Sequence, residues 1–262
     1  MTARGQRTRA EGEGRRARRG GGGIRQLPWR QPVNRYAPVE VLPADALEAI
    51  HDASMRLLET QGLEFLSPRA LDILAANGAE VDRATGNVRF DRDLVLDWVA
   101  KAPRQFTLHA RNPEHDVVIG GGHVAFCAVS SAPNVSDLDG GRRPGSYADF
   151  ANLLRLAQSF NVIHLASGYP VEPIDLPPAT RHLDAYEAFI TLTDKVWQPS
   201  AIGATRIEDG IEMNALARGL TREELARKPG LLTVVNTNSP LRVDGAMLDG
   251  LMAMSAAGQA VI

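Results

Sequence analysis

Between Val124 and Ile262 one unit recurs: a short apolar run ending in small polar residues, then an amphipathic stretch of helical period. The runs are VAFCAV (124–129), VIHLASG (162–168), VWQPSAI (196–202) and LLTVVNT (231–237), and QAVI opens a fifth. Strands that alternate with helices pair in parallel through right-handed crossovers. Two architectures meet that requirement: a doubly wound open sheet and a (β/α)8 barrel. A dinucleotide-binding open sheet carries a glycine fingerprint after its first strand. Here Gly120, Gly121 and Gly122 precede VAFCAV, and SSAPNVSDLDG follows it, which makes no phosphate cradle. Polar residues close every run: Ser130 and Ser131, Ser167 and Tyr169, Ser200, then Asn236, Thr237 and Asn238. That pattern favours the barrel, whose site is built from strand C-terminal ends.

The intervening helices are placed by their periodicity and caps. They are expected at about 146–160 with Ser146 as N-cap, at 179–193, at 206–218 with an appendage at 221–227, and at 244–257 closed by Gly258. Upstream, residues 27–118 read as a small α+β layer. A helix runs from Pro43 to Gln61, and a second opens at Ser67-Pro68 and stops at Asn77-Gly78. AEVDRATGNVRF reads as a hairpin, and a further helix spans about 91–102. The fold class expected is therefore α/β of the TIM-barrel type, with residues 119–262 as a partial barrel. It stops after about four strand-helix units, and a fragment is the expectation for the chain.

Residues 1–26 hold eight arginines against Glu11 and Glu13 and almost no apolar side chains, which reads as a disordered Arg/Gly-rich tail. A nucleic-acid-binding arm is the rival reading, disfavoured because no aromatic is interleaved for base stacking. Cys127 is the single cysteine, so no intrachain disulfide forms and a cytoplasmic chain is expected. No apolar run is long enough to span a bilayer, so no membrane partner is expected.

Four segments carry a family resemblance: IHDASMRLLETQGLEF (50–65), APRQFTLHARNPEHDVVIGGGHVAF (102–126), YADFANLLRLAQSFNVIH (147–164) and LLTVVNTNSPLRVDGAMLDGL (231–251). Together they resemble the trimethylamine methyltransferase (MttB-like) family of corrinoid-dependent methyltransferases, over its N-terminal half. The resemblance implies a TIM-barrel enzyme. It would move a methyl group from a small methylated amine, such as trimethylamine or glycine betaine, to the Co(I) of a separate corrinoid (cobalamin) protein. No cofactor would be bound directly, and a homo-oligomer stays open. An inactive truncated fragment and a nucleic-acid-binding protein are the alternatives.

The candidate substrate-binding residues follow from the strand ends. Asn236, Thr237, Asn238 and Ser239 close one apolar run, and their rival role is to shape the turn before the next helix. Ser130 and Ser131 offer hydrogen bonds at the mouth. Tyr169 and Glu172 combine an aromatic face with a carboxylate, a pair suited to a methylated ammonium. His109 and His115 lack the third ligand a zinc site needs, so no metal is expected and both read as structural. His164 reads as a core histidine, His182 as surface helix, and Cys127 as a buried thiol. No catalytic residue is assigned.

Overall fold

The structure, a computed structural model, describes residues 24–262. The expected disordered tail falls outside them except for its last residues. There Gln26 is tied down: its amide donates to Ser159 O and accepts from Asn161 N, both at 2.8 Å. The order that follows is α1 (Ala44–Thr60), β1 (Leu63–Phe65), α2 (Pro68–Ala76), β2 (Glu80–Asp82), β3 (Asn87–Arg89) and α3 (Arg92–Lys101). Next come β4 (Gln105–Leu108), β5 (Val117–Gly120), β6 (Asn134–Asp137), β7 (Gly141–Pro144) and α4 (Tyr147–Ser159). The remainder is β8 (Leu165–Ser167), α5 (Arg181–Leu192), β9 (Val196–Trp197), α6 (Ala204–Arg218), α7 (Arg222–Arg227), β10 (Leu232–Thr233), β11 (Arg242–Val243), α8 (Gly245–Ala256) and β12 (Ala260–Val261).

Local chemistry accounts for most boundaries. Ser67 Oγ accepts from Ala70 N, and Pro68 opens α2 where a missing N–H costs nothing. Ser146 and Asp149 form a reciprocal capping box on α4. The Arg143 guanidinium grips both Asp149 oxygens at 2.6 and 2.8 Å and holds that carboxyl well below its usual range, with Ser146 adding to the effect. Gly62, with φ +71°, ends α1 where a Cβ would strike Val88 O, so only glycine fits.

The strand-helix alternation folds into parallel neighbours in strict chain order. Cys127 bridges Leu165; β8 pairs with β9, Trp197 bridges Leu231, and β10 pairs with β12, every contact parallel. Successive residues face opposite sides. Leu165, Val196 and Leu232 join one buried cluster, while Ala166, Trp197 and Leu231 join another with Phe150, Leu154, Phe189, Ile207, Ile211 and Met254 from the helices. Each fully buried side chain of this size contributes roughly 1.5–3 kcal/mol. Trp29 and the β4–β5 hairpin close the first cluster at the amino ends of the strands.

The structure departs from the sequence expectations at three places. Residues 124–129 make only a bridge and isolated hydrogen bonds to β8, because Phe126 and Val129 point away from the core and stay exposed. Between the first run and its helix the expected alternation is interrupted: β6 and β7 form a hairpin whose turn is closed by Asp137 accepting from Asp139 N and Gly140 N. The segment after Ser239 returns to the first layer, where β11 pairs in parallel with β1 to complete the sheet β11-β1-β3-β2. Among the described residues no helix is long and apolar enough to cross a membrane.

Lys195 is 2% exposed, and its Nζ donates to Ala157 O (2.7 Å) and Phe160 O (2.9 Å) at the carboxyl end of α4. Burial lowers its pKa from 10.5 to about 8. In the unfolded chain it keeps the ordinary value, so between those two pH values the unfolded state binds more protons. This group therefore makes the fold more stable as pH rises through that window. Urea unfolding at several pH values should show this rise in the native chain, and Lys195→Met should flatten it while lowering stability at neutral pH by about 1–3 kcal/mol through the orphaned carbonyls.

Candidate functional site

A cavity of about 700 Å³ opens at the carboxyl ends of the parallel strands. Its floor is apolar: Leu165, Val196 and Leu232, with Ile119 below and Met247 at one side. Small residues, Ala125, Ala128, Gly168 and Ala201, keep it wide. Neutral polar groups ring the opening: Ser130, Ser131, Ser167, Gln198, Ser200 and Asn236. Among the described residues Glu172 is the single carboxylate in the wall, which holds no Lys, Arg or His. A unit cation about 4 Å from that carboxylate gains roughly 1 kcal/mol in water-like surroundings and about 4 kcal/mol at an effective dielectric of 20. Glu172 is partly exposed, so the lower part of that range applies.

The backbone around this opening is strained. Ser131 and Ser167 both take left-handed conformations, with φ 61° and 58°. Side chains other than Gly and Asn rarely adopt them, and such strain concentrates at functional sites. Ser131 N donates to Tyr169 O at 2.6 Å, which locks the first strand end to the second. Gly168 fits between them because a Cβ there would collide with Ser130 Oγ.

Of the residues singled out in the sequence, Ser130, Ser131, Tyr169, Glu172 and Asn236 border the cavity. Thr237, Asn238 and Ser239 do not line it. Asn238 shapes a turn instead: its backbone pairs with Arg242, and Oδ1 accepts from Asp244 N at the start of α8. The chain turns toward β1 at this point, which carries these three residues away from the opening. Tyr169 borders the cavity, but its ring stands edge-on to Phe150, centroids 5.5 Å apart, within the helix-side core. Its hydroxyl is enclosed without a partner. Burial pushes this phenol pKa up, helped by Tyr186 and Glu172, so it stays a proton donor.

Two further expectations are corrected. Cys127 is exposed in the cavity wall, because residues 124–129 pair too loosely to bury it. His182 is buried, with Nε2 2.8 Å from Asp209, because α5 turns that face onto α6. The structural reading of the other histidines agrees with the geometry. His115 Nδ1 meets Asp194 at 2.6 Å, His109 Nδ1 meets Asp116 at 2.8 Å, and His164 is held between Phe126 N and Arg30 O. Among the described residues no cluster of acid, His and Cys side chains could hold a metal. Gln198 was not anticipated. Its signal is parity, since it lies two residues beyond the inward Val196.

The family model described as trimethylamine methyltransferase (MTTB) matches residues 7–262. A glycine betaine methyltransferase of Desulfitobacterium hafniense (strain Y51) is 38% identical over 222 residues, covering 85% of this chain and 46% of the relative. The trimethylamine methyltransferase MttB of Desulfitobacterium hafniense (strain DSM 10664 / DCB-2) is 28% identical over 200 residues, covering 76% and 40%. MttB1 of Methanosarcina mazei, also a trimethylamine methyltransferase, is 26% identical over 217 residues, covering 78% and 42%. The matches thus span somewhat less than half the length of these relatives.

The strain at Ser167 is testable. Ser167→Gly should hold or raise thermal stability, since glycine takes this φ freely, whereas Ser167→Val should cost about 1–3 kcal/mol in urea unfolding.

Proposed function

The chain belongs to the trimethylamine methyltransferase family, and from that premise we propose that its cavity binds a methylated amine whose methyl group passes to the Co(I) of a corrinoid carried by a separate protein. The observation that supports this most is the placement of one carboxylate, Glu172, in an otherwise neutral and largely apolar cavity at the strand carboxyl ends. An alkylated ammonium needs apolar walls for its methyl groups and a single counter-charge for its nitrogen. We read the four in-order parallel strands β8, β9, β10 and β12, with the bridged segment 124–129 before them, as part of a (β/α)8 barrel spanning 119–262, set on the 27–118 layer.

The chemistry asks little acid or base work of the protein. When a quaternary ammonium loses a methyl group, the C–N bond pair stays on nitrogen and a neutral amine leaves, so no proton has to move. Co(I) supplies the electron pair for the new bond to carbon. What remains for the chain is placement and exclusion of water. Leu165, Val196 and Leu232 keep the floor dry. Glu172 fixes the nitrogen, while Ser130, Ser131 and Asn236 at the rim fix the substrate's orientation.

The reading is tested by mixing the chain with a Co(I)-charged corrinoid protein and a methylated amine, trimethylamine or glycine betaine, and following the cobalt absorption. Conversion to methyl-cobalt supports the proposal; no conversion with any methylated amine overturns it. Binding gives a separate check. Calorimetry with tetramethylammonium should show Glu172→Gln weakening the affinity by about ten-fold, equivalent to about 1.4 kcal/mol.

A further inference from the structure

A second, much smaller cavity of about 10 Å³ lies at the amino ends of the strands, where Lys195 immediately precedes β9 and Gly230 comes just before β10. It has room for one particle of about the size of a water molecule. Phe189 and Trp197, whose rings stack with centroids 5.2 Å apart, give it an apolar side. Four basic side chains border it, His109, Arg111, Lys195 and Arg218, and among the described residues no carboxylate does. The acids nearby are engaged elsewhere. Asp116 accepts from Ala110 N and meets His109 Nδ1, each at 2.8 Å, while Asp194 meets His115 and accepts from Asn112 and Gln158. Two groups in the wall are short of partners. Arg218 is half-buried at the end of α6, its guanidinium packed against Gly230, where a Cβ would strike it. Among the described residues one of its five donors makes a hydrogen bond, Nη1 to Lys228 O at 2.9 Å. Burial lowers its pKa, and the charge of Asp116 works against that shift. One turn earlier Asn214 is 3% exposed and borders the cavity, and among the described residues its amide makes no hydrogen bond. A buried amide left without a partner carries its full desolvation cost.

We propose that this cavity binds one small monovalent anion of chloride size, held by the Arg218 guanidinium and the Asn214 amide. The site lies at the opposite end of the strands from the larger cavity and does not depend on what that cavity binds. Asn214 and Arg218 stand four residues apart on α6 and so share a helix face. A halide accepts from a guanidinium N–H and from Asn214 Nδ2, and supplies the bonds both lack. Lys195 and Arg111 add positive potential: Lys195 spends two of its three donors on Ala157 O and Phe160 O, and Arg111 donates to Thr193 O. A negative ion among these cations also offsets their mutual repulsion, which a neutral water molecule does not. The volume restricts the class, since a phosphate, a sulfate or an organic acid is too large. The wall draws on the end of β4, the turn before β9, α6 and the turn before β10, so a bound ion ties these segments together where the strands begin.

The test uses chloride itself on the full chain. Melting in sodium chloride and in sodium gluconate at equal ionic strength should give a Tm about 2–4 °C higher in chloride, with the difference saturating as chloride rises. The chloride NMR resonance should broaden when the native chain is added, and bromide should reverse the broadening by competition. Asn214→Leu replaces the amide with an apolar side chain of similar size, and Arg218→Gln removes the charge. Each should lose the chloride-dependent part of both signals. No broadening by the native chain, or broadening that bromide leaves unchanged, overturns the site without recourse to either variant. A chloride response of native size in both folded variants marks a general salt effect and overturns it as well.

Discussion

Burial of the parallel strands on both faces is the constraint on which the rest of the structure depends. Leu165, Val196 and Leu232 face one cluster; Ala166, Trp197 and Leu231 face the other. A strand with two buried faces cannot slip its register by one residue without exchanging these sets. The helices are held by the same rule, since Phe150, Phe189, Ile207 and Met254 close the outer face. Register and crossover direction then bring all strand carboxyl ends to one side. The cavity is the place where the inner apolar face stops and the chain must turn.

That geometry divides the work between floor and rim. The floor repels water because each side chain there is part of the core. The rim is built from short turns, and turns are where strained residues such as Ser131 and Ser167 can be held. Glu172 follows such a turn and is anchored through its own N–H to Ala132 O at 2.8 Å. A single carboxylate in this position can discriminate a cation from a neutral molecule by charge while the apolar wall judges its shape. Family membership and the cavity thus support one chemical account from independent directions.

The N-terminal layer is not a passive preface. Gln31 exchanges two hydrogen bonds with Val118, His164 reaches Arg30 O, and Trp29 packs against both His115 and His164. These contacts seal the amino ends of the strands, opposite the cavity. At the other side β11 carries the chain from the site back to β1, and Arg242 pairs with Glu64 at 2.6 Å. The segment that leaves the rim is therefore held by a sheet far from it in sequence.

The sequence by itself determined the alternation, the caps and the polar strand ends, because periodicity and capping are local and need only near neighbours. Ser67 and Ser146 cap the helices expected of them, and Ser130, Ser131, Tyr169, Glu172 and Asn236 border the cavity. Only the tertiary structure decided which polar residues share a site. Thr237, Asn238 and Ser239 adjoin Asn236 in sequence yet turn away, because β11 pairs with a strand nearly 180 residues earlier, a separation of 178 between Glu64 and Arg242. The same long-range packing buried His182 against Asp209, exposed Cys127, and set Arg181 beside Glu172. Burial and pairing of this kind depend on surfaces that come together only when the chain closes on itself, and no local pattern records them.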